Sequence, residues 1–368
     1  MPSAQAKANI VLLIDGLPGG GAERVVLTLA QALAAAGQRV TIVSLQAVCE
    51  YPIPAGVDYL VVADTGRGPL RKLREIARRA ALLDAALLQH FGDTPIDLAI
   101  SNLPKTDRIV AASRRLNNAW FCLHCALTEG SLGERRGWRR RLKLRQLRHC
   151  YGGRKLITVC QALQDDVRAL GIRPAQMVTI YNPFALDDIR TQSQAACPLD
   201  GEDFLLHVGR LNRQKRHDRL LAAFKLSPYS GKLVLLGSGS ADDRAALLAQ
   251  IAELGLSERV QFAGFQENPY RFMRAARALV LSSDYEGFGN VLVEALACGT
   301  PVISTNCPVG PNEILQGNLA LGLADLSVEG LARAIDRVLA APPQAESAAL
   351  DRFALATVAA QYASLVGH

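Results

Sequence analysis

The run Ile-Val-Leu-Leu-Ile at residues 10–14, closed by Asp15 and followed by an amphipathic helical pattern, constrains this chain more than any other feature. Five consecutive apolar residues read as a strand buried on both faces. Residues 22–36 then place Val25, Val26, Leu29 and Leu33 at helical spacing, and residues 39–45 return to a strand pattern. Strand, helix and strand at this spacing make a right-handed βαβ unit, which requires a parallel sheet. Residues 96–101 and 155–159 read as later strands of that sheet, with a long, very basic helix at residues 132–149 between them.

The rhythm restarts near residue 184. Residues 204–208, 232–236, 259–262, 278–282 and 301–305 read as strands separated by helices, including one at 218–224. Pro342-Pro343 punctuates the chain before a last amphipathic helix at residues 351–366. A length of 368 residues suffices for two cores. The expected fold class is therefore α/β, with two Rossmann-like domains facing a cleft: residues 1–183 and residues 184–350. Parallel sheets bind ligands at the carboxyl ends of their strands, so the strand-to-helix loops are where chemistry is expected.

Composition narrows the function. Hydrophobic residues make up 49% and charged residues 20%, which excludes a disordered or collagen-like chain. No apolar run reaches the roughly 18 residues of a membrane span, and residues 10–14 are too short for a signal-peptide core. Eight cysteines without framework spacing suit reduced thiols, so a cytoplasmic location is expected. Residues 1–183 carry 25 Lys and Arg against 14 Asp and Glu, whereas the remainder carries 16 against 20. A basic half joined to a mildly acidic one points to an anionic partner for the first half.

Three loops carry candidate chemistry. Gly16-Leu-Pro-Gly19-Gly20-Gly21-Ala22-Glu23-Arg24 follows the first strand and opens a helix, where backbone amides can approach an anion; the plain alternative is a tight turn. A nicotinamide site is disfavoured, because the second strand ends Val43-Ser44-Leu45-Gln46 without the acidic residue a ribose needs. The chain also lacks a P-loop, an Asp-x-Asp pair and the His-Glu-x-x-His spacing, so no metal is expected. His207-Val-Gly209-Arg210-Leu-Asn-Arg213-Gln-Lys215-Arg216 follows the first strand of the second half, with Arg210 offering a planar fork for phosphate oxygens and Lys215 a point charge. The third stretch is the most specific. Asp284-Tyr-Glu286-Gly287-Phe288-Gly289 is a glycine-flanked loop leading into a helix at Asn290, with Glu286 on the loop, Glu294 on the helix and seven residues between them. The amides of Gly289, Asn290 and Val291 suit an anion, and the two carboxylates suit sugar or ribose hydroxyls.

With these residues the chain resembles the retaining glycosyltransferases of family 4, whose fold is called GT-B, over nearly its whole length. Gly20 to Arg24 resembles the family's N-terminal loop, and Val208-Gly209-Arg210 with Lys215 its diphosphate-binding stretch. Glu286 and Glu294 match its Glu-seven-residues-Glu signature, and Pro308-x-Gly310-Pro-Asn-Glu313 the loop that follows. The closing helix resembles the family's C-terminal helix that crosses back onto the first domain, which implies that residues 351–368 complete residues 1–183. The resemblance implies that Arg210 and Lys215, helped by the amides of Gly289 to Val291, hold a nucleotide diphosphate. It further implies that Glu294 binds the ribose, that Glu286 faces the donor sugar, and that Gly20 and Gly21 close over the diphosphate or the acceptor side. His124 stands where the family has an active-site histidine; a buried structural histidine is the alternative. Transfer would need no metal and no cofactor beyond a nucleotide-sugar donor, with UDP favoured by the resemblance alone.

Two features lie outside those motifs. Cys122-Leu-His-Cys125 has no second Cys-x-x-Cys, so buried thiols on a strand explain it better than a metal. Arg135, Arg136, Trp138, Arg139, Arg140, Arg141, Lys143 and Arg145, interrupted by leucines, suit a helix lying on an anionic membrane surface; a second cluster runs from Arg67 through Arg71, Lys72 and Arg74 to Arg78 and Arg79. Solvated helix faces are the alternative for both. The expected function is transfer of a hexose or N-acetylhexosamine to a lipid-linked or other anionic glycan acceptor on the inner face of the cytoplasmic membrane. A sugar-nucleotide epimerase of the same fold is the rival, and a nucleic-acid-binding protein ranks last, because aromatics are only 5% and do not interleave with the basic runs.

Overall fold

The computed structural model describes residues 7–64 and 74–367. Arg67, Arg71 and Lys72 of the second basic cluster lie outside the described residues. The chain divides into two compact units, residues up to Phe184 together with Phe353 onward, and residues Ala185–Arg352.

The first unit holds a seven-stranded parallel sheet. Its strands are β1 (Asn9–Ile14), β2 (Arg39–Ser44), β3 (Val57–Val61), β4 (Leu98–Asn102), β5 (Trp120–Leu123), β6 (Lys155–Thr158) and β7 (Gln176–Thr179), in spatial order β3-β2-β1-β4-β5-β6-β7. Every residue of β1 is buried, as its unbroken apolar run requires. The second unit repeats the plan with β8 (Phe204–Val208), β9 (Lys232–Leu236), β10 (Val260–Gly264), β11 (Ala278–Leu281), β12 (Val302–Thr305) and β13 (Leu323–Ala324), in order β10-β9-β8-β11-β12-β13. In both sheets the strand order reverses direction once, between β1 and β4 and between β8 and β11. Loops leaving those strands diverge to opposite faces and open a crevice at their carboxyl ends. That rule places the site before any side chain is examined.

Several boundaries differ from the sequence reading. β3, β7 and the two-residue β13 lie at or near the sheet edges and were not expected. The basic helix starts later than residue 132: Thr128–Leu132 forms a single π-type turn, and the α-helix spans Gly137–Tyr151. Gly133 and Gly137, at φ 52° and 56°, break the helix between them. The closing element is also shorter than 351–366, a 3-10 turn at Asp351–Phe353 and a helix at Leu355–Ala363. From Phe353 onward, rather than from residue 351, it belongs to the first unit. Phe184 and Ala354 form a β-bridge, with Phe184 N donating to Phe353 O at 2.9 Å and Leu355 N to Phe184 O at 3.0 Å. Phe353 is fully buried against the rings of Tyr181 and Phe184, and Tyr362 is buried with its hydroxyl 3.7 Å from the Cys122 sulfur. Truncating a ring buried like Phe353 costs about 3–5 kcal/mol.

The carboxyl edge of the second sheet is tightly laid. Gly209 N donates to Leu236 O at 2.9 Å and Gly237 N to Gly264 O at 2.8 Å, so the ladder continues past the strand ends into the loops. Gly237 has φ 136°, and a Cβ there would overlap the carbonyl oxygen of Gly209. No helix among the described residues is long and apolar enough to cross a membrane.

Candidate functional site

In the second unit, the loops after β8 and β11 meet. Lys215 Nζ lies 2.6 Å from Glu286 Oε1, and Ser283 Oγ donates to the same oxygen at 2.5 Å. Both partners are largely buried, with side-chain exposures of 14% and 9%. A charge pair so removed from water holds only with its partner and its hydrogen bonds in place. The loops are stitched further by Ser282 Oγ to Lys215 O at 2.7 Å, Gln214 Nε2 to Tyr285 O at 2.8 Å and Asp284 N to Gln214 O at 3.0 Å. Lys215 and Glu286, 71 residues apart in sequence, are thus brought together by the fold.

The other sequence candidates of this unit take different stations. Arg210 is exposed at the end of β8, and its guanidinium bonds no described residue. Gly289, at φ 97° and ψ 47°, ends the loop and caps the helix Asn290–Ala297, whose first turn contains Asn290 and Val291. Amides of a first turn have no carbonyl one turn back to bond, and the helix dipole adds partial positive charge there. Glu294 is buried on the same helix; its carboxylate helps burial push the Cys298 thiol up to about 12. Gly310, at φ 99°, lets its loop pass so close that a Cβ would overlap the Phe288 carbonyl. This contact fixes the segment before Gly289.

Behind the pair, His207 and His217 meet edge-to-face at 4.7 Å between ring centres. His207 Nδ1 bonds Val280 O at 2.8 Å, which makes Nδ1 the protonated nitrogen. Burial holds His207 well below its usual range and takes His217 to about 4, with the nearby Lys215 charge acting in the same direction. Both imidazoles are therefore neutral near pH 7.

The first unit is furnished differently. His124 follows β5, and its Nε2 lies 2.8 Å from Asn102 Oδ1 at the end of β4. The Asn102 amide nitrogen donates to Leu13 O at 3.2 Å and Ile100 O at 3.3 Å, which fixes the oxygen toward His124. An oxygen acceptor there requires a proton on Nε2 and leaves Nδ1 as the acceptor of a neutral ring. Burial agrees, pushing His124 down to about 4. Asp15, at the end of β1, is held by Lys105 at 3.3 Å, by Arg79 at 3.5 Å and by the Gln46 amide. Gly20 caps the helix Gly21–Ala35, and the Glu23 carboxylate folds back over it so closely that a Cβ on Gly20 would overlap it. The chain's own carboxylate therefore occupies the approach where the sequence suggested an anion.

Sequence reasoning missed Asn102, Asp15, Lys105, Ser283 and Asp284. The available signal was position alone, since each lies at or just beyond the carboxyl end of a strand. The Cys-x-x-Cys pair divides, Cys122 within β5 and Cys125 past its end. Burial pushes these thiols up to about 12 and about 11, so neither is a thiolate.

On the basic helix Gly137–Tyr151, Leu147, Cys150 and Tyr151 are buried, while Trp138 and Leu142 are 67% and 56% exposed. Arg136, Arg139, Arg140, Arg141 and Arg145 surround them in solvent, with the Arg139 guanidinium 5.5 Å from the Trp138 ring centre. Two members of the predicted cluster are engaged instead. Arg135 donates to Ser131 O and Leu132 O at 2.9 and 3.0 Å, and the half-buried Lys143 donates to Gln146 at 3.1 Å.

Two doubly wound parallel sheets, with a Lys–Glu pair at the reversal point of the second, define a two-unit α/β protein with a charged site in its second unit. Its sequence matches Glycosyltransferase Family 4 over residues 19–188 and Glycosyl transferases group 1 over residues 188–350. The chain belongs to this family of glycosyltransferases, and its fold is of the GT-B type. It is 38% identical over 152 residues to the N-acetylgalactosamine-N,N'-diacetylbacillosaminyl-diphospho-undecaprenol 4-alpha-N-acetylgalactosaminyltransferase of Campylobacter jejuni, a match covering 41% of each chain. The chain thus spans about two-fifths of that relative's length. The amylovoran biosynthesis glycosyltransferase AmsD of Erwinia amylovora is 27% identical over 84% of both chains. Among solved structures, HepE of Anabaena in complex with UDP and glucose is 23% identical, with a TM-score of 0.78 over 97% of this chain and 98% of that one.

Proposed function

We propose that this protein is a retaining, metal-independent glycosyltransferase. It moves a hexose or N-acetylhexosamine from a nucleoside diphosphate sugar, UDP being the favoured carrier, to a lipid-linked or cell-surface glycan. Residues 184–350 bind the donor; residues 1–183 with 351–368 take the acceptor. The observation that carries this reading is the Lys215–Glu286 pair at 2.6 Å, beside the first turn of the helix Asn290–Ala297.

The chemistry follows from those parts. Breaking the anomeric C–O bond leaves negative charge on the departing diphosphate. Arg210, the Lys215 ammonium and the amides of Gly289 to Val291 stabilise it. Lys215 exchanges its bond to Glu286 for one to a phosphate oxygen, freeing the Glu286 carboxylate to accept from donor-sugar hydroxyls. Glu294 binds the ribose hydroxyls. The acceptor oxygen bonds the anomeric carbon on the face the diphosphate leaves, and its proton passes to the diphosphate oxygen. In the first unit His124 offers the Nδ1 lone pair of a neutral ring, which accepts from a sugar hydroxyl. Gly20 and Gly21 serve the acceptor side, because Glu23 repels a diphosphate there.

The printed name of the Campylobacter relative includes a diphospho-undecaprenol acceptor, and that of a Salmonella typhimurium relative a lipopolysaccharide galactosyl transfer; both support a lipid-anchored acceptor. The face bearing Trp138, Leu142, Arg139, Arg141 and Arg145 meets the anionic inner leaflet, each surface arginine contributing about 1 kcal/mol. No nucleic acid takes part.

The test incubates purified protein with single nucleotide sugars, bacterial membrane lipid extract and EDTA, and quantifies nucleoside diphosphate. Release that depends on one donor and on the extract is expected. An isomerised nucleotide sugar formed without extract would replace the reading with an epimerase.

A further inference from the structure

Arg216 adopts φ 48° and ψ 54°, a left-handed conformation that an L side chain resists. It closes the 3-10 turn Arg213–Lys215 and opens the helix His217–Leu226. A glycine would make this turn without strain, so the arginine is there for its side chain. That guanidinium is held at both ends: Nε and Nη2 bond Asp218 at 2.7–3.1 Å, and Nη1 bonds both carboxylate oxygens of Asp284 at 2.9 and 3.1 Å. Asp284 also accepts from the buried Arg219 at 2.6 Å, and Arg219 donates to Ser282 O at 2.8 Å.

The placement gives this network a purpose. Arg216 follows Lys215 directly, and Asp284 stands two residues before Glu286. The Arg216–Asp284 and Lys215–Glu286 pairs are parallel rungs joining the same two loops. On the proposed function the inner rung loosens, because a diphosphate oxygen competes with the Glu286 carboxylate for the Lys215 ammonium. The outer rung lies outside the residues assigned to the donor and can stay closed.

We propose that Arg216 and Asp284 are a positioning pair, a second rung that keeps the Lys215 loop docked on the Glu286 loop while Lys215 transfers to the donor diphosphate. This inference rests on the donor reading of the site for its ligand but not for its geometry. A purely structural arginine would affect melting and nothing else.

Two measurements separate these cases. Calorimetry with UDP on Arg216→Gly, which keeps the turn unstrained, and on Asp284→Asn should each show about tenfold weaker binding. The double variant should be no weaker than either single one, as two halves of one interaction require. In a Lys215→Ala background, Arg216→Gly should change UDP affinity no further. Amide hydrogen exchange on the unliganded proteins is the second readout: Arg216→Gly should raise exchange in residues 282–289 and Asp284→Asn in residues 209–217, each loosening the other's loop. Wild-type affinity in both single variants, or equal losses with and without Lys215, overturns the proposal, as does loosening confined to the mutated loop. If the wild-type protein binds none of UDP, GDP and ADP, the donor reading fails, and exchange alone decides the pair. Arg216→Lys keeps one charge without the fork and should fall between wild type and Arg216→Gly.

Discussion

The two units share one strand order about β1–β4 and β8–β11, yet their carboxyl edges carry opposite chemistry. The second unit crosses its loops with full charges, Lys215 on Glu286 and Arg216 and Arg219 on Asp284. The first meets its reversal point with a neutral imidazole on a neutral amide, and its cations at Asp15 are already answered. A common scaffold therefore fixes where a ligand sits, while the loops decide whether that place suits a phosphate or a hydroxyl. Fixed charges suit an anion; neutral donors and acceptors suit hydroxyls.

That contrast can be broken by experiment. The largest effect is expected for Lys215→Ala, with kcat/KM for the donor falling about 100- to 1,000-fold, as for loss of one preorganised donor to a developing anion. His124→Ala should cost about tenfold, because a single neutral hydrogen bond is worth about 1–1.5 kcal/mol. Equal losses would erase the distinction between the edges.

Acid should separate the units next. His217 is charged in the unfolded chain below about 6.5 but in the folded one only below about 4. The unfolded state then binds more protons, and stability falls as pH drops through that window, by about 3 kcal/mol at 1.36 kcal/mol per unit. His207 pulls the same way. In the first unit His124 does likewise, but Asp107 opposes it. Burial raises this carboxyl from 3.8 to about 7 against the bonds from Ser101 and Tyr151, so the folded state takes up a proton early and gains stability as pH falls from 7 toward 4. Hydrogen exchange between pH 7 and 4.5 should show residues 185–352 opening first. His217→Gln should shallow that slope and leave the first unit unchanged.

Glycine substitutions sharpen the comparison at smaller scale. Gly237→Ala drives a methyl into the Gly209 carbonyl and should cost about 3 kcal/mol in urea melts, whereas Gly37→Ala, at φ 84° with open space around it, should cost about 1. The smallest effect belongs to the exposed Arg190–Asp187 pair, where Asp187→Asn should stay within about 0.5 kcal/mol.

What the sequence made legible follows the same physics. Strands buried on both faces announce themselves as apolar runs, and β8 and β9 fall on their expected residues. β3 was hidden because its residues are half-buried, leaving neither an unbroken run nor a clean alternation. Lys215 and Glu286 were legible from their glycine-bearing loops at strand ends. Their supporting partners were not, because Arg216 and Asp284 lie 68 residues apart and Asn102 and His124 lie 22 apart. Only strand register brings such pairs together, and no local pattern encodes it.

The bridge of Phe184 to Ala354 has a consequence for how the protein is made. The first unit is interrupted, since its last helix is synthesised only after all of residues 185–352. At roughly 5–20 residues per second, translation leaves the first sheet without Phe353 and Tyr362 for roughly 10–30 s. The second unit is complete in itself and can mature during that delay. The half that emerges first from the ribosome is thus the half that finishes last, and a ribosome stalled before residue 353 releases an unsealed core beside a finished one.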